Sequence, residues 1–236
     1  MSAGRRLLDY VFPKDAKCVG CGNVSGAVKD GFCEACRTRL ERIRVTSEDG
    51  RCPRCLARLN PSGRCVHCET MTGRIRRGTF SFAYEAPASG AVRAFKYGGE
   101  GWLSGWMAAQ MLCAPRASHM LSECDVLVCA PMDVLRRNRR GYNHAWLLTR
   151  ELSRLSGIPA QDALRRKPFV SQQAKLGREE RLRNLHGVIR CAGDFRGRRV
   201  LLVDDVRTTG ATASACAGTL IEAGAMGVDL LTFAGA

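Results

Sequence analysis

No apolar run in this 236-residue chain approaches the ~18 residues that a membrane-spanning helix needs, so membrane insertion is not expected. The start Met1-Ser2-Ala3-Gly4-Arg5-Arg6 leads into no apolar stretch long enough for the core of a secretory leader, which places the chain in a reducing, cytoplasmic compartment as an expectation. Neither a G-x-x-x-x-G-K-[ST] loop nor a G-x-G-x-x-G after a strand is present. Their absence argues against a P-loop nucleotidase and a dinucleotide-binding fold. Acidic residues are in short supply, 22 Asp and Glu against 37 Lys and Arg, for a formal charge of +15. Such a surplus suits phosphate-bearing partners, nucleic acid or small phosphorylated molecules, and does not choose between them.

Large apolar side chains are also too sparse between Cys18 and Thr72 to build a core unaided, and Gly, Pro and Asn interrupt the segment throughout. Cysteine is what this segment has instead. Eight of the thirteen cysteines form four C-x-x-C pairs: Cys18 and Cys21 with Cys33 and Cys36, then Cys52 and Cys55 with Cys65 and Cys68. Two such knuckles joined by a short connector offer four thiolates in the tetrahedral arrangement of a closed structural Zn2+ site. Zinc can contribute ~10 kcal/mol or more of apparent binding free energy in small fingers, enough to replace a missing core. One or two structural Zn2+ sites are therefore expected; a redox motif or an iron–sulfur cluster is the alternative use of the same spacing. His67, inside the last knuckle, reads as a solvated side chain, and Gly22 suits a knuckle turn. Cys113, Cys124, Cys129, Cys191 and Cys216 are scattered and read as small core residues.

The organisation follows from this contrast. Residues 1–78 read as a zinc-ribbon module with a short N-terminal docking segment, and residues 79–236 as an α/β domain. In the latter, strand patterns at Thr79–Tyr84, Asp125–Ala130, Arg199–Val203 and Val228–Phe233 alternate with helical patterns at Ala88–Tyr97, Leu103–Leu112, Asn143–Leu155 and Ala213–Ala223. Alternation of this kind implies a largely parallel sheet flanked by helices.

The most informative stretch is Val200-Leu201-Leu202-Val203-Asp204-Asp205-Val206-Arg207-Thr208-Thr209-Gly210-Ala211-Thr212. An apolar strand enters two acids, then a Thr/Gly turn that opens a helix. Backbone N–H groups and Thr hydroxyls at a helix N-terminus favour a phosphate. Carboxylates cannot ligate that phosphate, but they can accept hydrogen bonds from the diol of an adjoining ribose.

This run resembles the loop of type I phosphoribosyltransferases that binds 5-phosphoribosyl-1-pyrophosphate (PRPP). Further matches are Lys96-Tyr97-Gly98-Gly99, Arg140-Gly141-Tyr142-Asn143, and Gln173, Leu176, Arg181 and Asn184. Together with the cysteine pairs they make nearly the whole chain resemble the ComF family, competence-associated proteins with a double zinc ribbon and a phosphoribosyltransferase-like domain. His144 stands where that family usually has Gln, and Arg207 where a hydrophobe is commoner. The resemblance implies a type I phosphoribosyltransferase-like fold behind a small four-cysteine zinc-ribbon module, and PRPP bound with Mg2+. Asp204 and Asp205 would hold the ribose hydroxyls, and Val206, Arg207, Thr208, Thr209, Gly210, Ala211 and Thr212 would wrap the 5′-phosphate. Lys96, Arg136, Arg137 and Arg139 would join the PRPP site, with Arg140, Asp204 and Asp205 as the catalytic set if transfer occurs. On charge alone, Arg136 to Arg140 is either a pyrophosphate clamp or a solvated basic turn. Lys167 to Asn184 is either a mobile lid or an exposed helix.

Residues 136–199 hold 17 Lys and Arg against 5 Asp and Glu, and residues 1–78 hold 16 against 8, so a basic track for single-stranded DNA is expected if the two adjoin. Tyr97, Trp102, Trp106, Tyr142 and Trp146 could stack on bases or belong to the core. Two functions compete. One is a PRPP-binding factor for DNA uptake in natural transformation, with single-stranded DNA and a competence helicase or uptake machinery as partners. The other is an active phosphoribosyltransferase of nucleotide salvage. Glutamine-dependent ammonia transfer is not expected, because Ser2 rather than Cys follows Met1 and no glutaminase domain precedes the ribbons.

Overall fold

A computed structural model describes residues 16–25, 27–68, 74–132, 142–166 and 188–236. The N-terminal docking segment, the run holding Arg136, Arg137, Arg139 and Arg140, and the expected lid lie outside the described residues.

The front of the chain forms short hairpins, β1 (Ala16–Lys17) with β2 (Val24–Ser25) and β3 (Val28–Lys29) with β4 (Phe32–Cys33), followed by helix α1 (Glu34–Ile43). Five strands then make one parallel sheet in the order β5 (Ile75–Ala83), β11 (Gly227–Gly235), β10 (Arg199–Arg207), β6 (Val126–Cys129), β7 (Ala160–Gln161). Helices α2 (Ala88–Tyr97), α3 (Leu103–Leu112), α4 (Ala117–Glu123), α5 (His144–Ser156) and α6 (Ala211–Glu222) accompany it, and β8 (Leu164–Arg166) pairs with β9 (Ile189–Cys191) as a separate ribbon. Among the described residues no helix is long and apolar enough to cross a membrane.

A parallel sheet covered on both faces needs strands that are apolar on both sides, and β10 satisfies this in alternation. Leu201 and Val203 pack with α2, α3 and α5, in the cluster that includes Val92, Phe95, Met107, Leu148 and Leu152. Val200 and Leu202 face the other way, onto Cys216, Ala217 and Leu220 of α6. The expected α/β architecture is observed, with α2 and α3 at the bounds the periodicity gave. Four differences stand out. The strand expected from Thr79 begins at Ile75, β10 continues beyond Val203 to Arg207, and α1 and α4 were not foreseen. In α1 the inward positions are Cys36, Leu40 and Ile43, and a cysteine read as a ligand hid the first of them.

The cysteine segment does not stand apart from the α/β core. Cys18, Phe32, Cys36 and Leu40 share one apolar cluster with Phe82, Phe95 and Phe233, and the Phe32 ring lies 4.7 Å from that of Trp106. Gly90 on α2 meets the backbone of Gly20 so closely that a Cβ there would fall 2.1 Å from the Gly20 oxygen. That spacing leaves room for hydrogen alone, which is why α2 carries glycine at this turn. The second half of the segment contributes Cys52, Cys55 and Ala57 to the opposite cluster, with Ile75 and Leu230.

Candidate functional site

Each cysteine set converges. The four sulfurs of Cys18, Cys21, Cys33 and Cys36 lie within 4.8 Å of one another, and so do those of Cys52, Cys55, Cys65 and Cys68. Cys52 to Cys68 and Cys55 to Cys65 are each 3.5 Å apart, and Cys21 to Cys33 is 4.0 Å. A disulfide is far shorter, whereas a tetrahedron with Zn–S of about 2.3 Å has edges of ~3.8 Å, so both donor sets fit Zn2+. Gly22, at φ +80°, makes the turn expected of it, donating its N–H to the Cys18 carbonyl. Burial pushes the Cys18 thiol up, but the backbone N–H groups of Cys33, Cys21 and Gly20 outweigh it and bring the pKa down to about 7. Cys52 is likewise held at about 7, where the amides of Cys55 and Arg54 and the neighbouring thiols Cys68 and Cys65 overcome burial. The first knuckle of each set thus favours a thiolate at Cys18 and at Cys52, and a metal ion must displace the remaining protons.

The second candidate site lies at the C-terminal end of β10. The strand carries Asp204 and Asp205 within it, turns through exposed Thr208 and Thr209, and enters α6 from Gly210 at φ +77°. A recess of ≈ 60 Å³ opens there, lined by Asp204, residues 206–213, Leu230 and Thr232. Helix α6 directs its first-turn N–H groups to this end, that of Ala211 meeting the Thr209 hydroxyl at 3.4 Å, the arrangement that favours an anion.

Because strand side chains alternate, the two acids point to opposite faces. Asp204 lines the recess. Asp205 is buried on the other side, where its Oδ1 is 2.8 Å from Lys96 Nζ. Burial alone would lower the Lys96 pKa, but the charges of Asp205 and Asp204 outweigh it and hold the ammonium above its ordinary range. Desolvation and the neighbouring Asp205 charge raise Asp204 to about 7, with Lys96 and the Asp205 amide opposing them. One cation therefore serves two carboxylates, and Asp204 is the one left to share protons with a ligand.

The described flanks of the arginine run are tied together. Asn143 caps α5 by accepting from the Ala145 amide and donates from Nδ2 to the Ala130 carbonyl at 3.4 Å. Tyr142 Oη donates to the Phe95 carbonyl, and buried His144 places Nε2 3.1 Å from the Lys96 carbonyl. Arg136, Arg137, Arg139 and Arg140 themselves are outside the described residues. Of the five candidate stacking aromatics, Tyr97 and Trp102 are 71% and 53% exposed. Trp106 lies in a ring cluster with Phe32, Phe82 and Phe233, and Trp146 packs against Cys129 and Ala130.

Two contacts were not legible in the sequence. His67, read as solvated, is half-buried with Nδ1 3.0 Å from the Thr208 carbonyl. A carbonyl only accepts, so the proton belongs on Nδ1. The Arg207 guanidinium donates from Nη2 to the main-chain oxygen of Ala236, the last residue, and lies over the Phe80 ring. Nothing local announces either pairing, since the partners are 141 and 29 residues away.

Residues 7–73 match the double zinc ribbon domain family. Over 204 residues the chain is 28% identical to competence protein F of Haemophilus influenzae, covering 83% of this chain and 86% of that protein. It is 29% identical over 205 residues to DNA utilization protein YhgH of Salmonella typhimurium, covering 85% and 88%. The resemblance read from the motifs is borne out by these relatives and by the double ribbon. Among solved structures, a purine phosphoribosyltransferase from Pyrococcus horikoshii is similar at a TM-score of 0.36 and 20% identity, over 53% of this chain and 70% of that one. The glutamine PRPP amidotransferase of B. subtilis is similar at a TM-score of 0.37 and 21% identity, over 56% and 25%.

Proposed function

We propose that this is a cytoplasmic PRPP-binding protein of DNA uptake, in which residues 79–236 form the ligand domain and residues 1–78 a zinc-ribbon module. The observation that carries the reading is the recess at the end of β10, where one acid and a helix N-terminus face the same small space. The 5′-phosphate takes the amides of 208–212 and the hydroxyls of Thr208, Thr209 and Thr212, while Asp204 accepts from the ribose diol. Asp205 acts through Lys96, and Arg136, Arg137, Arg139 and Arg140 balance the pyrophosphate. Mg2+, brought with PRPP, would neutralise pyrophosphate charge. Single-stranded DNA follows the basic surface.

The test is calorimetric titration of the zinc-loaded protein with PRPP and Mg2+. Asp204→Asn is expected to weaken binding on the order of 100-fold, the loss of charge-assisted hydrogen bonds worth about 3 kcal/mol. The same variant has an opposite effect on the free protein. An unfolded Asp titrates near ~3.9, and Asp204 in the fold titrates at about 7. The folded state thus holds the extra proton in this window, and its stability declines as pH rises from about 4 to 7. Above pH 7 Asp204→Asn removes a poorly solvated charge beside Asp205 and is expected to raise Tm by ~2 °C or more, the shift that about 1 kcal/mol makes at this size. Wild-type affinity in Asp204→Asn would sink the ribose assignment.

For the nucleic acid, neutralising Arg136, Arg137, Arg139 and Arg140 together is expected to lower the slope of log affinity against log salt by about 0.7 for each single-strand phosphate that the variant no longer neutralises. An unchanged slope removes that footprint. A second reading, transfer of the phosphoribosyl group to an acceptor, is favoured by Asp204 standing near neutrality, where a carboxylate can exchange protons at working pH. Pyrophosphate release with a panel of bases and amines decides it.

A further inference from the structure

Three consecutive residues at the entry to α5 tie together the ligand side of the sheet. Tyr142 Oη donates to the Phe95 carbonyl at 3.1 Å, Asn143 Nδ2 donates to the Ala130 carbonyl at 3.4 Å, and His144 Nε2 stands 3.1 Å from the Lys96 carbonyl. A carbonyl only accepts, so His144 carries a proton on Nε2. His144 is 1% exposed, and its ring lies edge-on to those of Phe95, at 5.2 Å, and Tyr142, at 5.0 Å.

Phe95 and Lys96 belong to the last turn of α2, where carbonyls have no following turn to bond them. Gly98 and Gly99 come next, Gly99 at φ +74°, and a helix end followed by two glycines is prone to fray. Tyr142 and His144 supply the missing donors. What they hold in place is the base of the Lys96 side chain. Its Nζ lies 2.8 Å from Asp205 Oδ1, and the Asp205 amide donates to Asp204 Oδ1 at 2.8 Å. A lysine is a compact charge on a flexible stem, so where its ammonium comes to rest depends on where its main chain is fixed.

We propose that Tyr142 and His144 are positioning residues for Lys96: by capping the last turn of α2 they fix the ammonium that serves Asp205 and Asp204. Neither lines the recess, and both act through a main-chain carbonyl and one side chain. The chain that carries Arg136 to Arg140 runs directly into Tyr142, so the segment leaving the arginines and the cation serving the acids share one anchor. What this does for a ligand rests on the PRPP reading, whereas the hold on Lys96 does not.

The test uses the full, zinc-loaded chain, first without ligand. Carboxyl NMR shifts follow the acid pair through pH in wild type, Tyr142→Phe, His144→Leu, His144→Gln and Lys96→Met, with Asp204→Asn for assignment. Tyr84, Cys216 and Arg166 are the other titratable or charged groups near these side chains. Without the ammonium the pair keeps its shared proton to higher pH, so Lys96→Met is expected to raise that midpoint by ~1 unit. His144→Leu and Tyr142→Phe are expected to raise it by ~0.5 unit, and His144→Gln, whose own Nε2 can donate to the carbonyl, to stay within ~0.2 unit of wild type. On the Lys96→Met background His144→Leu adds nothing, because its effect passes through the missing ammonium. PRPP with Mg2+ then binds ~10-fold more weakly to His144→Leu and Tyr142→Phe, and as tightly as in wild type to His144→Gln. No PRPP binding by wild type removes the ligand reading and leaves the titration to decide. If His144→Leu does not fold, Tyr142→Phe and its combination with Lys96→Met decide. An unchanged midpoint in Tyr142→Phe and His144→Leu, full additivity with Lys96→Met, His144→Gln behaving as His144→Leu, or PRPP affinity untouched where the midpoint has moved overturns the proposal.

Discussion

Replacing Cys36 by Ser is expected to remove zinc from the first ribbon and to lower the melting temperature of the whole chain, not of the ribbon alone. Cys36 and Cys18 are buried in the cluster that holds Phe82, Phe95, Met107 and Phe233. Their ribbon supplies Phe32 to the Trp106 ring and lays the Gly20 backbone on Gly90 of α2. Without metal, four thiols must stay in a tight, partly buried group, and the Cys36 thiol is already pushed upward by burial and by the Cys18 charge. The ribbon has too few apolar side chains to hold that arrangement. Its loss forfeits on the order of 10 kcal/mol of metal-derived free energy, comparable with the whole stability of a domain at roughly 5–15 kcal/mol. Once the ribbon leaves, Phe32 no longer covers Trp106, and an aromatic face opens to water. Thermal unfolding by circular dichroism, with tryptophan emission as the local reporter, checks this. A wild-type melting temperature in zinc-free Cys36→Ser would mean that apolar contacts alone hold the ribbon in place.

The parts of this molecule that the sequence made legible are those whose cause is local. The run from Val200 to Val203 and the Thr208-Thr209-Gly210 turn declare a buried strand and a helix start within a dozen residues, and the C-x-x-C spacing declares its ligand sets. What the sequence did not make legible rests on partners far along the chain. Asp204 and Asp205 look like one acidic pair, yet strand alternation separates them, and only the approach of Lys96 from α2 gives them different surroundings. His67 looks solvated because its acceptor is a backbone carbonyl in a different part of the fold. The shared core of ribbon and sheet was hidden for the same reason: Phe32 and Leu40 are too few to form a cluster until Phe82 and Trp106 are brought to them. The first residues of β5 were hidden because the charges of Arg76 and Arg77 mask a strand, and the residue that pairs with both is Asp229.

Asp229→Asn is accordingly expected to be the most damaging single substitution away from the cysteines. Asp229 is 2% exposed on β11. Its carboxylate accepts from Arg76 Nε at 3.1 Å, Arg76 Nη2 at 2.8 Å and Arg77 Nη2 at 2.8 Å, and Glu123 on α4 takes further bonds from both arginines. Consecutive residues of a regular strand point to opposite faces, so Arg76 and Arg77 could not both reach one carboxylate. The pairing of β11 with β5 resolves this: Val228 pairs with Ile75 and Leu230 with Gly78, so that Arg76 and Arg77 together oppose Asp229. Two residues against one is a bulge, and it turns both guanidinium groups toward the same acid. The side-chain amide of Asn keeps the shape but leaves two cations facing a neutral group, one of whose atoms is itself a donor. Removing one partner of a buried ionic group costs about 3–5 kcal/mol, or a fall in Tm of roughly 6–20 °C at this size. Because the carboxylate is buried, 1 M salt should restore little of the loss, whereas Glu123→Gln, at the exposed rim of the same network, should cost far less and respond to salt. Denaturant midpoints of the two variants at low and high salt test this. Equal and salt-sensitive losses would mean that the arginines are held by the bulge itself and that Asp229 is a bystander to the entry of β5 into the sheet.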